Sequence, residues 1–139
     1  KPGDRVEVFP LGGFLSCPLI CYDLRFPELF RIGMQKGANL FIVIACWPKA
    51  RIDHWVSLLK ARAIENQAYV VGVNRAGSDS ETEFGGRSLI IDPMGKFLAD
   101  AGTGESVTQA ELDLNRLNAW REKFPALKHA RPDFLPVIR

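Results

Sequence analysis

The fold of this chain is decided by one stretch, Pro18-Leu19-Ile20-Cys21-Tyr22-Asp23-Leu24-Arg25-Phe26-Pro27-Glu28. An apolar run typical of a strand ends there in a polar turn, and Pro27 and Glu28 then favour the first turn of a helix. Cys21 is therefore expected at the carboxyl end of a strand and near a helix N-terminus. Backbone N–H groups there favour a thiolate and can hold a developing oxyanion. Local sequence leaves two roles open for Cys21, a nucleophile and a buried structural cysteine.

Hydrophobic patterning along the rest of the chain predicts an α/β fold. Strands are predicted over residues 5–9, 14–21, 40–45, 69–73, 89–91, 96–99 and 110–114. Helices are predicted over residues 27–36, from Asp53 as N-cap to residue 68, and from Asn115 as N-cap to Pro125, with a surface loop over 76–87. The order strand, helix, strand, helix, strand implies βαβ units with a parallel core, and Pro18 indicates an edge or a bulge in its strand.

Length and composition narrow the class of protein. The chain has 139 residues, about one domain, and a net charge of +2 without a basic block, so neither nucleic acid nor a membrane surface is indicated. The longest apolar run, residues 40–47, is too short to span a bilayer, and no signal-peptide pattern is expected. Three cysteines, an odd number, favour reduced thiols and a cytoplasmic protein. The chain opens at Lys1 in turn-like sequence without Met, which suggests a piece of a longer protein.

Three polar or aromatic residues fall at predicted strand ends, where open α/β sheets bind their ligands. These residues are Cys21, Trp47 and Asn74. Trp47 either walls a small pocket or packs as a rim aromatic. Asn74 either orients a substrate or bonds the loop backbone. The convergence of all three predicts a ligand site at this edge of the sheet.

Arg25 follows Cys21 by four residues and has two possible partners. If its guanidinium faces the predicted pocket, it is suited to clamp a substrate carboxylate. Otherwise it forms an ion pair with Asp23 or Glu28. The sequence alone does not separate these alternatives.

Two further groups of polar residues are candidates for chemistry. Arg62, Glu65 and Asn66 lie on one predicted helix, and their spacing favours a solvated or helix-to-sheet ion pair between Arg62 and Glu65. His54 and His129 leave a cysteine–histidine protease as a weaker alternative, because a lone histidine is more often structural. The cysteine spacing lacks C-x-x-C, so neither a metal nor a redox pair is indicated.

The chain resembles the nitrilase superfamily of carbon–nitrogen hydrolases. The stretches that carry the resemblance occur in order at residues 20–28, 37–40, 47–48, 61–70, 73–75, 86–88, 91–95 and 121–125. His54-Trp55 after Trp47-Pro48, together with residues 62–69, is most similar to the omega-amidase branch. That branch removes the terminal amide of 2-oxoglutaramate and similar short ω-amides.

The resemblance implies a mechanism and roles for four residues. Cys21 would attack the amide carbon, release ammonia and leave a thioester that water hydrolyses. The Tyr22 N–H would contribute to the oxyanion hole, Arg25 would match a carboxylate-binding position of carbamoylase relatives, and Trp47 would line the acyl pocket. Asn74 remains a candidate for substrate binding. A small-molecule amide, no cofactor, no metal and a homo-oligomer are expected.

The resemblance also implies that residues 1–139 are part of a domain. The family uses a Glu–Lys–Cys triad, and its glutamate and lysine precede the cysteine by more than the residues before Cys21. The chain is therefore expected to be the C-terminal half of an αββα sandwich, a mixed sheet with two covering helices and a C-terminal hairpin. By itself it would be inactive, because triad members act as a unit.

Three other functions stay open at this point. The first is a hydrolase of the same superfamily whose substrate is an N-carbamoyl amino acid or a nitrile. An inactive fragment that keeps the fold is a further alternative. The last is a small α/β binding domain in which Cys21 is inert. For the amidase interpretation, Asp23, Arg62 and Glu65 are expected to support the site structurally.

Overall fold

A six-stranded mixed sheet forms the centre of the computed structural model, which describes residues 3–134. The strands are β1 (Phe9–Leu11), β2 (Phe14–Ile20), β3 (Leu40–Ala45), β4 (Tyr69–Asn74), β5 (Ala76–Ser78), β6 (Glu83–Gly85), β7 (Leu89–Ile91) and β8 (Phe97–Asp100). The sheet runs β1-β2-β3-β4-β7-β8, while β5 and β6 form a separate ribbon. Strands β2, β3 and β4 are parallel, and the other pairs are antiparallel. The predicted α/β class is confirmed.

Helices and 3₁₀ turns connect the strands. The helices are α1 (Pro27–Gln35), α2 (Ile52–Glu65) and α3 (Leu114–Lys123), and the 3₁₀ turns are Cys21–Arg25, Lys49–Arg51, Ala126–His129 and Pro132–Phe134. Pro27 occupies the first turn of α1, and Gly37 follows its end with φ +94°, as the sequence predicts. Within residues 3–134, each helix is too short or too polar to cross a membrane.

One face of the sheet is covered by α1 and α2. Its main cluster joins Phe30 of α1 and Trp55 and Leu59 of α2 to alternate residues of the strands, among them Phe41 and Val70. Gly72 shows how closely α2 approaches, because a Cβ atom there would lie 2.4 Å from Leu59 Cδ1. Burial of these apolar side chains supplies most of the stabilisation of this layer.

The opposite face of the sheet is covered at one end only. There Leu117 of α3 packs on Leu40 and Tyr69 in a second cluster. Toward the carboxyl ends of the parallel strands the same face carries the paired row Ile20, Ile44 and Val73, whose exposed fractions are 62%, 51% and 48%. A monomeric soluble protein rarely leaves such an apolar row bare.

Pro18 marks a point where one neighbour of β2 is missing. Strand β1 pairs with β2 only from Phe14 to Ser16, so Pro18 has a single partner strand. The register of β2 against β3 continues through Pro18 opposite Ile42 without a bulge. The edge alternative from the sequence is thus confirmed, and the bulge alternative is wrong.

Several predicted boundaries differ from the structure. The first strand begins only at Phe9, because its partner residues start there, and residues 110–114 contain no strand because none of them joins a ladder. Asp113, not Asn115, caps α3 by accepting a hydrogen bond from the Arg116 N–H at 3.0 Å. The alternation of apolar and polar residues is visible in the sequence, but the sequence does not show that residues 110–114 lack a partner strand.

The second helix also differs from its prediction. It begins at Ile52 with Arg51 as N-cap, so Asp53 lies inside its first turn. It ends at Glu65, before the predicted residue 68, because Gln67 adopts φ +44°. The predicted loop over 76–87 contains the β5–β6 ribbon.

Candidate active site

Cys21 lies at a sharp turn directly after β2. It is the first residue of the 3₁₀ turn Cys21–Arg25 and adopts φ +46°, in the left-handed region that non-glycine residues rarely occupy. The thiol is half-buried. Helix α1 starts only at Pro27, so the N–H groups beside Cys21 belong to the 3₁₀ turn and not, as the sequence suggested, to an α-helix. A strand–turn geometry of this kind presents a nucleophile at the top of a sheet.

Asp23 ties this turn to the end of β2. Its Oδ2 accepts a hydrogen bond from the Ile20 N–H at 2.8 Å. The carboxylate thus reaches back across Cys21 and satisfies the backbone donor of the last residue of β2. A supporting role of Asp23 in the site itself stays a prediction.

Arg62 reaches the same turn from α2. Its Nε and Nη2 donate to the Leu24 carbonyl at 3.2 and 2.8 Å, and its Nη1 donates to Glu65 Oε1 at 3.0 Å. The Arg62–Glu65 pair is therefore as predicted. The solvated alternative is wrong, because Arg62 is 5% exposed and lies 5.2 Å from the Phe30 ring centroid. Residue spacing in the sequence does not indicate that the Leu24 carbonyl accepts the hydrogen bonds of Arg62.

Arg25 stacks on an aromatic residue and contacts a histidine. Its Cζ lies 4.9 Å from the Trp47 ring centroid, and its Nη2 lies 3.5 Å from His54 Nδ1. Within the described residues it forms no ion pair with Asp23 or Glu28, the two partners weighed from the sequence. Its positive charge thus lies beside two aromatic rings and has no carboxylate partner among the described residues, which suits it to an anionic ligand.

His54 is placed against Arg25 rather than against the thiol. No hydrogen bond in residues 3–134 joins it to Cys21. The cysteine–histidine protease alternative needs such a contact, since the base must be within hydrogen-bond reach of its nucleophile. The position of His54 therefore does not support that alternative.

Asn74 and Trp47 hold two loops of this edge together. Asn74 Oδ1 accepts from the Trp47 N–H at 2.6 Å, and its Nδ2 donates to the carbonyls of Trp47 and Gly86 at 3.3 and 2.7 Å. The Trp47 indole, 3% exposed, donates from Nε1 to the Arg51 carbonyl at 2.8 Å. The structure has Asn74 bonding loop backbone and Trp47 packed at the rim, while substrate contact by either stays a prediction.

The β5–β6 ribbon adds a part of the site that the sequence did not reveal. The Gly85 N–H donates to the Trp47 carbonyl at 3.2 Å, and Pro48 bridges to Phe84. The Arg75 guanidinium lies 4.2 Å from the Phe84 ring centroid. In the sequence, a large aromatic residue, Phe84, within an otherwise polar loop was the signal that could have indicated this packing.

The three cysteines differ sharply in environment. Cys17 is fully buried, and burial raises the pKa of its thiol to about 11. Cys21 is half-buried, Cys46 beside Trp47 is exposed, and none of the three forms a disulfide. Across residues 3–134, no three His, Cys, Asp or Glu side chains gather as a metal site would require.

Comparison with known proteins identifies the family. The profile of the carbon-nitrogen hydrolase family matches residues 1–122. A 2-oxoglutaramate amidase of Bacillus subtilis is 50% identical over 131 residues, 94% of this chain and 51% of that protein. An omega-amidase of Yersinia enterocolitica is 44% identical over 135 residues, 96% of this chain and 52% of that protein.

Solved structures agree with these relatives. A carbon-nitrogen hydrolase superfamily protein of Xanthomonas campestris, which carries an arsenic adduct in its active site, superposes with a TM-score of 0.89 at 32% identity, covering 94% of this chain and 52% of that one. An amidase of Nesterenkonia, in which acrylamide has added to the active-site cysteine, has a TM-score of 0.77 at 28% identity and coverages of 92% and 51%. The chain spans about half the length of the curated relatives it matches. The chain belongs to the carbon-nitrogen hydrolase family.

Proposed function

We propose that the complete protein is an amidase that releases ammonia from short ω-amides by way of Cys21. The observation that carries this proposal is the placement of Cys21 in a left-handed turn, φ +46°, at the carboxyl edge of the sheet of a carbon-nitrogen hydrolase. The relatives named 2-oxoglutaramate amidase and omega-amidase support the substrate class.

The chemistry proceeds in two steps. The Cys21 thiolate attacks the amide carbon, the carbon–nitrogen bond breaks, and ammonia leaves with a proton from a general acid. Water then attacks the resulting thioester, which releases the carboxylate product and restores the thiol. The Cys21 sulfur is thus acylated once and freed once in each cycle.

The Tyr22 backbone N–H suits the oxyanion position. Its peptide directly follows Cys21, so this N–H lies beside the thiol. The Tyr22 ring is 66% exposed and stacks edge-on against Phe26 at 5.4 Å. A backbone donor beside a nucleophile can stabilise the tetrahedral intermediate.

Arg25 supports a carboxylate at the far end of the substrate. Its guanidinium stacks on Trp47 beside His54 and lacks a carboxylate partner among the described residues. A short acid whose other end is an amide fits a site with a cation at one side and a nucleophile at the other. We include 2-oxoglutaramate-like acids in the proposal on this ground.

The proposal assigns the remaining catalytic groups to the rest of the protein. The glutamate base and the lysine of the family triad would come from outside residues 1–139, in a domain of which this chain is the C-terminal half. The bare apolar row Ile20, Ile44 and Val73 supports this, because an exposed apolar sheet face is the surface on which the remaining layers of a sandwich would pack.

Location and assembly are part of the same proposal. We place the protein in the cytoplasm, since its three cysteines are free thiols. Self-association of the complete protein is also proposed, with the exposed hydrophobic side chains of the described residues as the available support.

The experiment is an assay of ammonia release by the complete protein on 2-oxoglutaramate, on amides without a carboxylate, and on N-carbamoyl amino acids. Cys21→Ala is expected to abolish release, and Cys46→Ala, a neighbouring exposed thiol, serves as the matched control. Ammonia with carbon dioxide from the carbamoyl substrates would identify a carbamoylase instead. Unchanged turnover in Cys21→Ala would refute the mechanism.

A further inference from the structure

The Arg62 guanidinium is buried against the turn that carries Cys21. All three of its nitrogen atoms are used, with two N–H groups on the Leu24 carbonyl and one on Glu65 Oε1. Leu24 is itself fully buried, and the contact joins residues 38 positions apart. Two of the three nitrogen atoms of the guanidinium are therefore committed to one carbonyl group.

Such an arrangement costs stability, so an explanation is needed for a charged side chain here. Taking a guanidinium out of water costs several kcal/mol before its partners compensate, and an apolar side chain of similar size often packs at least as well. Glu65 keeps a 33% exposed carboxylate and stabilises the charge only from one side. If Arg62 only filled space in the core, its two hydrogen bonds to the Leu24 carbonyl would not be needed.

The carbonyl that Arg62 holds lies three residues after Cys21, inside the same 3₁₀ turn. Asp23 holds the other end of that turn through the Ile20 N–H at 2.8 Å. The turn is thus fixed at both ends, one end by the carboxylate of its own residue and the other by a side chain from α2. Displacement of either end would reorient the thiol and the Tyr22 N–H together.

We propose that Arg62 is a positioning residue that sets the orientation of the Cys21 thiol and the Tyr22 N–H through the Leu24 carbonyl. The inference rests on the proposed role of Cys21 as nucleophile. It assigns to Arg62 an effect on the rate of the chemical step rather than on substrate binding, because no contact to a substrate is involved.

The test uses the complete protein with Arg62→Gln, Arg62→Lys and the control Arg121→Gln. Arg121 is a suitable control because it also donates to backbone carbonyls near the end of α2, those of Gln67 at 2.9 Å and Asn66 at 3.4 Å, but does not touch the turn. The measurements are kcat, KM, the midpoint of thermal unfolding, and the rate at which iodoacetamide modifies Cys21 relative to Cys46.

For Arg62→Gln we expect kcat to fall about 100-fold with KM within about threefold, since a misplacement of about 1 Å has this effect on an oriented reaction. Alkylation of Cys21 should slow relative to Cys46. Arg62→Lys should recover part of kcat, because an ammonium reaches the Leu24 carbonyl with one bond instead of two. Arg121→Gln should lower the unfolding midpoint and leave kcat unchanged.

Equal kcat and equal Cys21 alkylation in Arg62→Gln and Arg121→Gln, with both proteins destabilised, would overturn the proposal. If Arg62→Gln does not fold, Arg62→Lys is compared with Arg121→Gln in its place. A wild-type kcat in folded Arg62→Lys would refute positioning by the two N–H groups that bind the Leu24 carbonyl. The alkylation rates do not depend on the substrate. They would still decide the role of Arg62 if the complete protein released no ammonia from any ω-amide.

Discussion

Cys17 and Cys21 lie four residues apart at the same strand, yet their surroundings are opposite. Cys17 is in the middle of β2, with no exposed surface, and burial raises its thiol pKa to about 11. Cys21 is at the carboxyl end, half-buried, in a turn held by Asp23 and Arg62. The comparison teaches that position along the strand, more than the thiol itself, separates a core cysteine from the accessible cysteine of the proposed site.

The turn at Cys21 also carries a conformational cost that Cys17 avoids. A non-glycine residue held in the left-handed region is disfavoured by about 1–3 kcal/mol. At Cys21 the φ of +46° is maintained by contacts on both sides of the turn. Strain that is supported in this way is found preferentially at functional sites, which agrees with the family assignment.

The largest expected difference between the two thiols is in their chemical reactivity. At pH 8 we expect iodoacetamide to modify Cys21 at least about 100-fold faster than Cys17, because only a minute fraction of a buried thiol of raised pKa is thiolate. Mass spectrometry of the native complete protein would map the sites, and Cys46 provides an exposed reference. Comparable alkylation rates at Cys17 and Cys21 would contradict the proposed difference in their reactivity.

The second difference is in stability at high pH. The folded state keeps Cys17 protonated up to a pKa of about 11, whereas the unfolded chain loses that proton around the ordinary thiol pKa of 9.0. Between these pH values the unfolded state binds fewer protons, so stability falls as pH rises, by up to about 3 kcal/mol. Urea unfolding of wild type and Cys17→Ala from pH 8 to 11 would measure it, and identical pH slopes would contradict it.

The packing around Cys17 gives a third, smaller effect. A Cβ atom at Gly33 would lie 2.9 Å from Cys17 Sγ and 3.0 Å from Phe41 Cε1. Gly33→Ala is therefore expected to cost about 1–3 kcal/mol of unfolding free energy through overpacking. Chemical denaturation measures this cost, with Gly104→Ala as the control because nothing lies within 4 Å of its added methyl group. Wild-type stability in Gly33→Ala would show a looser core than described.

The smallest effect concerns the support of Cys21. Asp23→Ala removes the acceptor of the Ile20 N–H and should cost about 1 kcal/mol, the usual value for losing a side-chain cap. Because the turn loosens, alkylation of Cys21 should slow while Cys17 stays protected. Denaturation midpoints and alkylation rates would be compared with those of Asp23→Asn, which keeps an acceptor. An equal loss in both variants would assign the effect to charge rather than to the hydrogen bond.

Local sequence was sufficient to predict the elements that are marked by hydrophobic periodicity or by a residue with a special backbone conformation. The apolar run at 40–45 became β3, Pro27 began α1, and Gly37 followed its end because it tolerates a positive φ. The placement of Cys21 at a strand end followed from the change in pattern after residue 20. Each of these features depends on neighbours within a few positions, which a single sequence displays.

Local sequence was not sufficient where a partner lies far along the chain. Residues 110–114 alternate like a strand but find no ladder, and the loop 76–87 contains a ribbon that packs on Trp47 and Pro48. Spacing on α2 predicted the Arg62–Glu65 pair but not the Leu24 carbonyl. The residue pattern of one segment does not specify which distant segment packs against it.

The sequence by itself determined the order of the elements from β2 to β4, the α/β class and the candidate nucleophile, because these follow from short-range periodicity, turn residues and a motif within nine positions. Tertiary structure alone decided which side chains hold Cys21 in place. The Arg62–Leu24 contact spans 38 positions, and Asn74 meets Trp47 across 27. Hydrogen bonds over such separations exist only after the sheet has brought the strand ends together.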